Sequence, residues 1–213
     1  MTNYHFFDIS PQSVYFGQAF AIYQDSFPIA EQHLPEKLSK RLENPKSRLF
    51  TALHQEEVVF MAVLWEMQGT DYLFLDYLAV KSEFRNQKIG SNFLVFLKDD
   101  CLKKGKKILL EIEKPDTPPS QNQYWKRWYF YQKHGAKALQ GLVSVIPPIR
   151  TPDYTPVCLL VLGENAKKMD GKQVRLLILQ LFEEIYDRKE DDFFTQKVLQ
   201  TIPSVVLLSE KMP

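Results

Sequence analysis

The residues that decide the fold are Val80-Lys81-Ser82-Glu83-Phe84-Arg85-Asn86-Gln87-Lys88-Ile89-Gly90-Ser91. They join a strongly apolar strand pattern, residues 74–80, to an amphipathic helix pattern, residues 92–102. The N-terminus of a helix offers free N–H groups and a positive dipole end, and Arg85 and Lys88 add two cations beside it. Ser91 is a candidate N-cap of this helix. The loop is therefore predicted to bind a phosphate or pyrophosphate.

Composition limits the classes of protein to which the chain can belong. Its 213 residues, 45% hydrophobic and 25% charged, are ordinary for one globular domain. The net charge of +1 gives no support for a nucleic-acid or membrane partner. No signal-peptide pattern and no run of roughly 18 apolar residues is present, so we expect a cytoplasmic protein. Cys101 and Cys158 lie in apolar runs without the spacing of a metal site, so we expect buried free thiols and no metal.

Hydrophobic periodicity predicts the order of the strands and helices. Strands are predicted at residues 5–9, 48–54, 58–67, 72–80, 108–112, 142–146 and 156–162. Helices are predicted at residues 13–27, 30–42, 92–102 and 122–134, with a proline-rich loop at residues 114–121. The three strands between residues 48 and 80 have short connections, which is typical of an antiparallel meander. The next strand, loop, helix and strand form a βαβ crossover, so strands 72–80 and 108–112 are expected to be parallel neighbours.

These elements predict an α+β fold. It has a mixed, mostly antiparallel sheet with a central parallel strand pair, and helices flank the sheet. Residues 1–162 would form this domain. Residues 163–213 are mostly helical in pattern, since apolar residues recur there at 3- and 4-residue spacing. We expect them to form a helical extension packed on the same domain.

Two local motifs carry a resemblance to a known family. The first is Leu78-Ala79-Val80 followed by Arg85-Asn86-Gln87-Lys88-Ile89-Gly90. It resembles the acetyl-coenzyme A signature, Arg/Gln-x-x-Gly-x-Gly/Ala, of the GNAT acetyltransferase superfamily. The second is Phe130-Tyr131-Gln132-Lys133-His134-Gly135-Ala136, which is similar to the Phe-Tyr-x-x-x-Gly-Phe/Ala stretch of that family. The resemblance covers about residues 3–162 and implies a GNAT-like acyl-CoA N-acyltransferase fold.

Lys88 is the one clear departure from the signature, because it stands where the family has its first glycine. Glycine there permits a positive φ and a close approach of the backbone to phosphate. Lysine removes that freedom but adds a cation. We interpret it as a tolerated variant, with the loop geometry kept if Lys88 has a negative φ. A loop that does not bind the coenzyme is the alternative.

The resemblance implies acetyl-CoA as the acyl donor, bound where strands 72–80 and 108–113 separate. Backbone groups of Leu78 and Val80 would pair with the pantetheine as with an added strand. The amides of residues 87–91 would hold the pyrophosphate, with charge-assisted contacts from nearby cations. The coenzyme-binding residues implied in this way are Leu78, Ala79, Val80, Arg85, Gln87, Lys88, Ile89, Gly90 and Ser91. For the two cations of this set, a solvated loop is the alternative.

Three side chains are candidates for proton transfer. Tyr131 matches the position of the family's tyrosine general acid, with packing in an aromatic core as its alternative. Asp76 interrupts an apolar strand, where a carboxylate is costly to bury without a purpose or a partner. Glu111 and Glu113 lie on one face of the neighbouring strand, and Glu113 is nearer the expected opening. Asp76 and Glu113 are therefore the candidate bases, although solvated or ion-paired carboxylates, or no dedicated base, are alternatives.

The resemblance thus implies an N-acetyltransferase that moves the acetyl group of acetyl-CoA directly to the amine of a small molecule or peptide. Residues 27–31 and 147–155 are expected to build the acceptor site. A homodimer is compatible with the resemblance, and no nucleic-acid or membrane partner is expected. The alternative is a non-catalytic acyl-CoA-binding or protein-interaction module of the same fold. Nucleic-acid binding by Lys126 and Arg127 is weaker, because two adjacent cations form no patch.

Overall fold

The computed structural model describes residues 4–114 and 123–213. The strands are β1 (Phe6–Ile9), β2 (Ser47–His54), β3 (Glu57–Glu66), β4 (Tyr72–Val80), β5 (Lys107–Glu113), β6 (Lys137–Leu139), β7 (Ser144–Ile146), β8 (Thr155–Leu162), β9 (Lys168–Asp170) and β10 (Val205–Ser209). The helices are α1 (Phe16–Ser26), α2 (Pro35–Leu42), α3 (Ile89–Lys103), α4 (Gln123–Gln132), α5 (Gly171–Tyr186) and α6 (Phe193–Leu199). The proline-rich loop predicted over residues 114–121 lies outside the described residues except for Lys114.

The strands within the described residues form one mixed sheet. Its order is β1-β2-β3-β4-β5-β8-β6-β10-β9, and β7 also pairs with β8. β4 and β5 are parallel, and the other described pairs are antiparallel. The predicted α+β fold with its meander and its central parallel pair is therefore confirmed. The sequence pattern missed β6, which has only three residues.

β4 and β5 run side by side for only part of their length. The last pair in their ladder is Leu75 with Leu110. Beyond it, β4 follows β3 to Val80, whereas β5 follows β8 to Glu113. The two strands therefore separate towards their carboxyl ends, and in the described part of the chain no strand fills the gap.

Asp76 forms a β-bulge where the strands separate. Two consecutive residues of β3 lie opposite Leu75 and Tyr77, so Asp76 between them has no partner. An extra residue bends a strand and shifts the alternation of its side chains by one. As a result Leu75 and Leu78, three residues apart, pack against the same core, while Tyr77 packs on the opposite face. The bulge thus sets which β4 side chains face the opening.

Helices cover both faces of the sheet. α3 and α4 pack on one face, with a buried core that includes Phe60, Phe93, Leu97 and Trp128. The other face is covered by α1 and α2 at one end and by α5 and α6 at the other. Cys101 and Cys158 are buried free thiols, as predicted, and burial raises the pKa of each to about 11. None of the helices in residues 4–114 and 123–213 has the length and apolar character needed to cross a membrane.

Proline divides the second predicted helix. Residues 30–42 were expected to form one helix, but the chain has a 3₁₀ turn at Ile29–Glu31 and then α2, which begins at Pro35. Proline lacks an N–H and has a fixed φ, so it suits the first position of a helix and disrupts an interior position. The segment between α1 and α2 is therefore not part of one continuous helix, and it is free to pack beside β4.

The residues after 163 extend the sheet as well as covering it. β10 pairs with β6, and β9 pairs with β10 at the outer edge. The predicted apolar stripe of α5 is buried, and the Asp170 side chain caps this helix by accepting a hydrogen bond from the Lys172 N–H at 2.7 Å. The sequence pattern indicated helices here and not strands. A domain division at residue 163 stays a prediction.

Gly171, the first residue of α5, touches the segment that leads into β10. A Cβ there would lie 2.1 Å from the carbonyl oxygen of Pro203, so Gly171→Ala must displace this segment. We expect the free energy of unfolding to fall by about 2 kcal/mol, measured by thermal denaturation. Gly17→Ala is the matched control, because a Cβ built at Gly17 of α1 meets no described atom within 4 Å beyond its chain neighbours and the backbone of its own helix. It should stabilise the chain by about 0.5–1 kcal/mol. An unchanged Tm of Gly171→Ala would contradict this docking.

Candidate functional site

The separation of β4 and β5 opens a cleft of about 560 Å³. It is lined by β4, by the loop before α3 and the first turn of α3, by α4, and by Glu111 of β5. Ser26 and Phe27, at the end of α1, complete the lining. The cleft therefore brings both sequence motifs to one place.

Most residues predicted to bind the coenzyme line this cleft. They are Leu78, Ala79, Val80, Arg85, Lys88, Ile89, Gly90 and Ser91. Gln87 is not among the lining residues, and its Oε1 accepts a hydrogen bond from the Tyr4 hydroxyl at 3.3 Å. Asn86 lines the cleft instead, with a φ of 66°. Asparagine adopts this left-handed conformation more readily than most residues, which is the signal that could have pointed to it.

Lys88 has a left-handed backbone, with φ 62° and ψ 12°. The negative φ that was the condition for keeping the loop geometry is therefore not met. A left-handed conformation costs a residue with a side chain roughly 1–2 kcal/mol. The loop keeps the backbone conformation that glycine would give it, and the exposed lysine side chain adds a positive charge.

α3 begins three residues earlier than predicted, at Ile89. Ser91 therefore lies in the first turn and is not the N-cap. Among the described residues, no side chain caps this end. The first hydrogen bond of the helix runs from the Asn92 N–H to the Lys88 carbonyl at 2.8 Å. The N–H groups of Ile89, Gly90 and Ser91 precede it and have no acceptor among the described residues. They are free to hold an anion.

Gly90 lies where α3 comes close to α4. A Cβ at this position would lie 3.4 Å from Cζ of Phe130 and 3.5 Å from Cδ2 of Leu78. Any side chain longer than that of alanine would therefore enter the cleft or displace the Phe130 ring. The absence of a side chain keeps the helix N-terminus accessible.

Several cations line this cleft. The lining cations are Arg85, Lys88, Lys126, Arg127 and Lys133. The Nε of Arg85 donates to the Val80 carbonyl at 3.2 Å, which holds the arginine against the end of β4. Cations beside free backbone N–H groups suit phosphate oxygens. From the sequence, Lys126 and Arg127 were considered only as a weak nucleic-acid site, because only the fold brings α4 to this cleft.

Tyr131 lies in the wall of the cleft and is buried. Burial raises the pKa of its hydroxyl to about 12, although the nearby Arg127 acts in the opposite direction. The hydroxyl therefore keeps its proton at neutral pH and can donate it. Tyr131 also packs in the core with Trp128, so its orientation is fixed.

Asp76 lines the cleft but is held by an arginine. The Nη2 of Arg41 donates to Oδ2 of Asp76, and both side chains are nearly buried. The Nη1 of Arg41 lies 2.9 Å from Nε2 of His33. Burial, reinforced by Arg41, lowers the pKa of His33 to about 4, so this histidine is neutral at pH 7. The Asp76 carboxylate is thus already engaged by a buried arginine.

Glu113 does not line the cleft. Its Oε2 accepts a hydrogen bond from Nη1 of Arg127, and its side chain is buried. It faces a smaller cavity of about 60 Å³ instead. Each of the two carboxylates predicted as a base is thus paired with an arginine.

Glu111 is a candidate that sequence reasoning passed over. It is the first residue of β5 beyond the pairing with β4, and it lines both the cleft and the small cavity. Its Oε2 accepts a hydrogen bond from the Tyr186 hydroxyl of α5, while Oε1 is buried without a partner in the described structure. Burial raises the pKa of Glu111 to about 8; the hydrogen bond from Tyr186 opposes this, and the charges of Asp76 and Glu31 add to it.

Two variants of Lys88 test the loop. Lys88→Gly should be more stable than Lys88→Ala by about 0.5–1 kcal/mol, since only glycine adopts the positive φ without cost. Both variants lose the cation, so both should bind coenzyme A several-fold more weakly and with a smaller dependence on salt. Denaturant unfolding and calorimetric titration measure the two effects. Equal stability of the two variants would contradict the left-handed conformation.

Comparison with known protein families gives a match over the site. The family described as acetyltransferase (GNAT) matches residues 16–135, more than half of the chain. The matched range contains β4, the loop, α3, β5 and α4. The resemblance seen in the sequence motifs is therefore confirmed.

Individual proteins with a similar sequence or fold are also named as acetyltransferases. YjbC of Bacillus subtilis (strain 168), whose name assigns it as an acetyltransferase, is 25% identical over 149 residues, which are 70% of this chain and 73% of YjbC. A structure from Bacteroides thetaiotaomicron, named as a GNAT-family acetyltransferase, has a TM-score of 0.72 and 21% identity, covering 87% of this chain and 99% of its own. A GNAT-family acetyltransferase from Elizabethkingia anophelis, solved with acetyl-CoA bound, has a TM-score of 0.54 and 16% identity, covering 76% and 99%. The two structures show the shared fold, and the family match shows that this chain belongs to the GNAT family of acetyltransferases.

Proposed function

We propose that this protein transfers the acetyl group of acetyl-CoA directly to the amine of an acceptor. One observation carries the proposal. A single cleft contains the free N–H groups of α3, a set of cations, a protonated tyrosine and a carboxyl group whose pKa is about 8. Bound acetyl-CoA would supply the acetyl group as an activated thioester.

The loop side of the cleft fits the phosphates of the coenzyme. The N–H groups of Ile89, Gly90 and Ser91 would hold the pyrophosphate, and Arg85 and Lys88 would neutralise its charge. The free edge of β4 beyond Leu75 offers backbone groups to the amides of the pantetheine. The Val80 carbonyl is less available for this role, since Arg85 already binds it.

Glu111 is the base that the geometry favours. The acceptor amine is protonated at neutral pH and must lose a proton before it attacks. A carboxyl group with a pKa near 8 is well matched to this task, because catalytic bases work best near the operating pH. Asp76 and Glu113, the bases predicted from the sequence, are each bound by an arginine. Their assignment stays a prediction.

Tyr131 is the proposed acid. The reaction forms an N–C bond and breaks the C–S bond of the thioester. One proton of the ammonium group moves to Glu111, and Tyr131 gives its proton to the leaving sulfur. The second nitrogen proton, lost as the amide forms, restores the tyrosine. The products are an acetamide, the free thiol and one proton.

A non-catalytic acyl-CoA-binding module is the alternative. It predicts saturable coenzyme binding without release of free thiol when a mixture of amines is added. Steady release of thiol that depends on the amine supports the proposed function. A cytoplasmic location and a homodimer stay predictions.

Glu111→Gln should lower kcat/KM by about 10²–10⁴-fold and change its pH dependence. The base works in its ionised form, so the kcat/KM of the wild type should rise with pH up to about 8 and then level. In the variant, the remaining rate should follow the free amine, with a pKa near 10 for an alkylamine such as lysine. Release of free thiol between pH 6 and 10 measures both profiles.

Asp76→Asn is the control for this variant. If the rise of kcat/KM towards pH 8 disappears in Asp76→Asn and persists in Glu111→Gln, Asp76 is the base.

Glu111→Gln should also be more stable than the wild type at pH 9. The raised pKa of Glu111 means that the folded state loses stability as pH rises from about 4.5 through about 8, and glutamine does not ionise.

Tyr131→Phe should lower kcat by about 10²-fold with little change in the Kd of acetyl-CoA, because only the proton donor is lost. Turnover and calorimetric titration measure the two quantities. Tyr129→Phe is the matched control, since Tyr129 is exposed on the same helix, and it should keep the wild-type rate. A wild-type kcat for Tyr131→Phe across the pH range would remove its role as acid.

A further inference from the structure

The small cavity of about 60 Å³ adjoins the cleft at the point where β4 and β5 separate. Asp76 and Glu111 line both spaces. They are the first residues of the two strands beyond the pairing of Leu75 with Leu110. A group held in the cavity would therefore lie beside the reaction cleft.

Carboxyl groups outnumber cations around this cavity. The lining carboxyl groups are those of Glu31, Asp76, Glu111 and Glu113. Among the described residues, the only lining cation is Arg127, which binds Glu113. Arg41 binds Asp76 in the same way. Two of the four carboxyl groups are thus neutralised by arginine, and two are not.

Glu111 and Glu31 are the two carboxyl groups left without a cation in the described structure. The Tyr186 hydroxyl holds one oxygen of Glu111, and the other oxygen, Oε1, is buried without a hydrogen-bond partner. A buried polar atom without a partner is energetically costly, and a hydrogen-bond donor bound in the cavity would satisfy it. Burial also raises the pKa of Glu31, against the opposing effect of Arg127.

The rest of the wall is aromatic and apolar. It comprises Phe27, Phe74, Tyr77, Ile146, Ile149 and Tyr186. Aromatic faces attract cations, and the attraction grows when water is excluded. The volume of about 60 Å³ is less than half of the ~150 Å³ of an engineered protein cavity that holds benzene, which leaves room for an ammonium group and a methylene but not for a ring. No group of three or more described His, Cys, Asp and Glu residues is arranged to hold a metal ion, so an organic cation fits better.

We propose that this cavity binds the primary ammonium group of the acceptor, carried on an unbranched alkyl stem. The proposal rests on the proposed function and names its substrate class. Glu31 and Glu111 would accept hydrogen bonds from the ammonium group, and the aromatic rings would surround it. Tyr186 is a positioning residue that holds Glu111, so the extension after residue 163 contributes to this site. A free alkyl diamine and a lysine side chain share this chemistry.

The same features exclude other amines. An α-amino acid would bring a carboxylate next to Glu31 and Glu111, which have no cation partner in the described structure, and a branch next to its nitrogen. An arylamine is uncharged at neutral pH and too wide for the cavity. The site therefore predicts discrimination by charge and by branching.

A panel of acceptors tests the specificity with the full chain and acetyl-CoA. The kcat/KM for n-pentylamine should exceed that for the branched 2-aminopentane, for alanine and for aniline by at least about 10-fold. Cadaverine and an N-acetyl-lysine amide peptide separate the two sources of the ammonium group. The proposal would be overturned if 2-aminopentane or aniline had the same kcat/KM as n-pentylamine.

Two variants test the residues. Glu31→Gln should raise the KM for n-pentylamine about 10-fold and leave the KM for acetyl-CoA unchanged, as expected for a lost charge-assisted hydrogen bond. Glu36→Gln, on the exposed side of α2, is the control and should change neither KM. In Tyr186→Phe the rise of kcat/KM near pH 8 should move to higher pH, because the hydrogen bond from the Tyr186 hydroxyl lowers the pKa of Glu111. An unchanged amine KM in Glu31→Gln would contradict the site.

Calorimetric titration of n-pentylammonium into the coenzyme A-saturated chain needs no turnover. At pH 7 the amine should bind with release of close to one proton, since the cation favours ionised Glu111, whose pKa is about 8 in the free site. Two buffers of different ionisation enthalpy reveal this proton, and Glu111→Gln should not release it. Absence of binding would overturn the proposal. Binding without acetyl transfer to any amine would instead overturn the proposed function.

Discussion

The end of the hydrogen-bonded ladder between β4 and β5, at Leu75 and Leu110, is the constraint on which the site depends. Beyond this point β4 stays paired with β3 and β5 stays paired with β8. The sheet therefore opens between two strands that each keep their other neighbour. The Asp76 bulge bends β4 at this point and shifts the alternation of its side chains. The opening exposes backbone on β4 and places Glu111 at its apex. The cleft, the small cavity and the entry of α3 all follow from this divergence.

Charge is divided between the two spaces that meet at the opening. The loop before α3 and the helix α4 carry cations, and the free N–H groups of α3 add to them. The small cavity is lined by carboxyl groups, two of which are neutralised by Arg41 and Arg127. Burying a charge without a partner is costly, and no arginine pairs with Glu111 in the described structure, so burial raises the pKa of this carboxyl group to about 8. Glu111 thereby lies between a space lined by cations and a space lined mainly by carboxyl groups.

Much of the site could be predicted because its information is local. β4 has the predicted bounds, since its apolar run is continuous and turns flank it. The loop residues were identified because strand, cations, glycine and helix follow one another within about twenty residues. Lys88 shows the limit of that reasoning. Lysine avoids a positive φ as an isolated residue, but the chain must turn into α3 here, and the surrounding structure imposes the conformation.

The sequence by itself predicted the mixed sheet, the crossover around the loop, the exposed N-terminus of the helix that follows it and Tyr131 as a candidate acid, because each depends on residues close together in the chain. Only the tertiary structure showed that Asp76 and Glu113 are paired with arginines and that Glu111 is held by a tyrosine instead. Their partners, Tyr186, Arg41 and Arg127, come from other helices, and Tyr186 is 75 residues away from Glu111. The burial and pairing of a carboxyl group depend on which distant elements pack around it, and the pattern of its own strand does not contain that information.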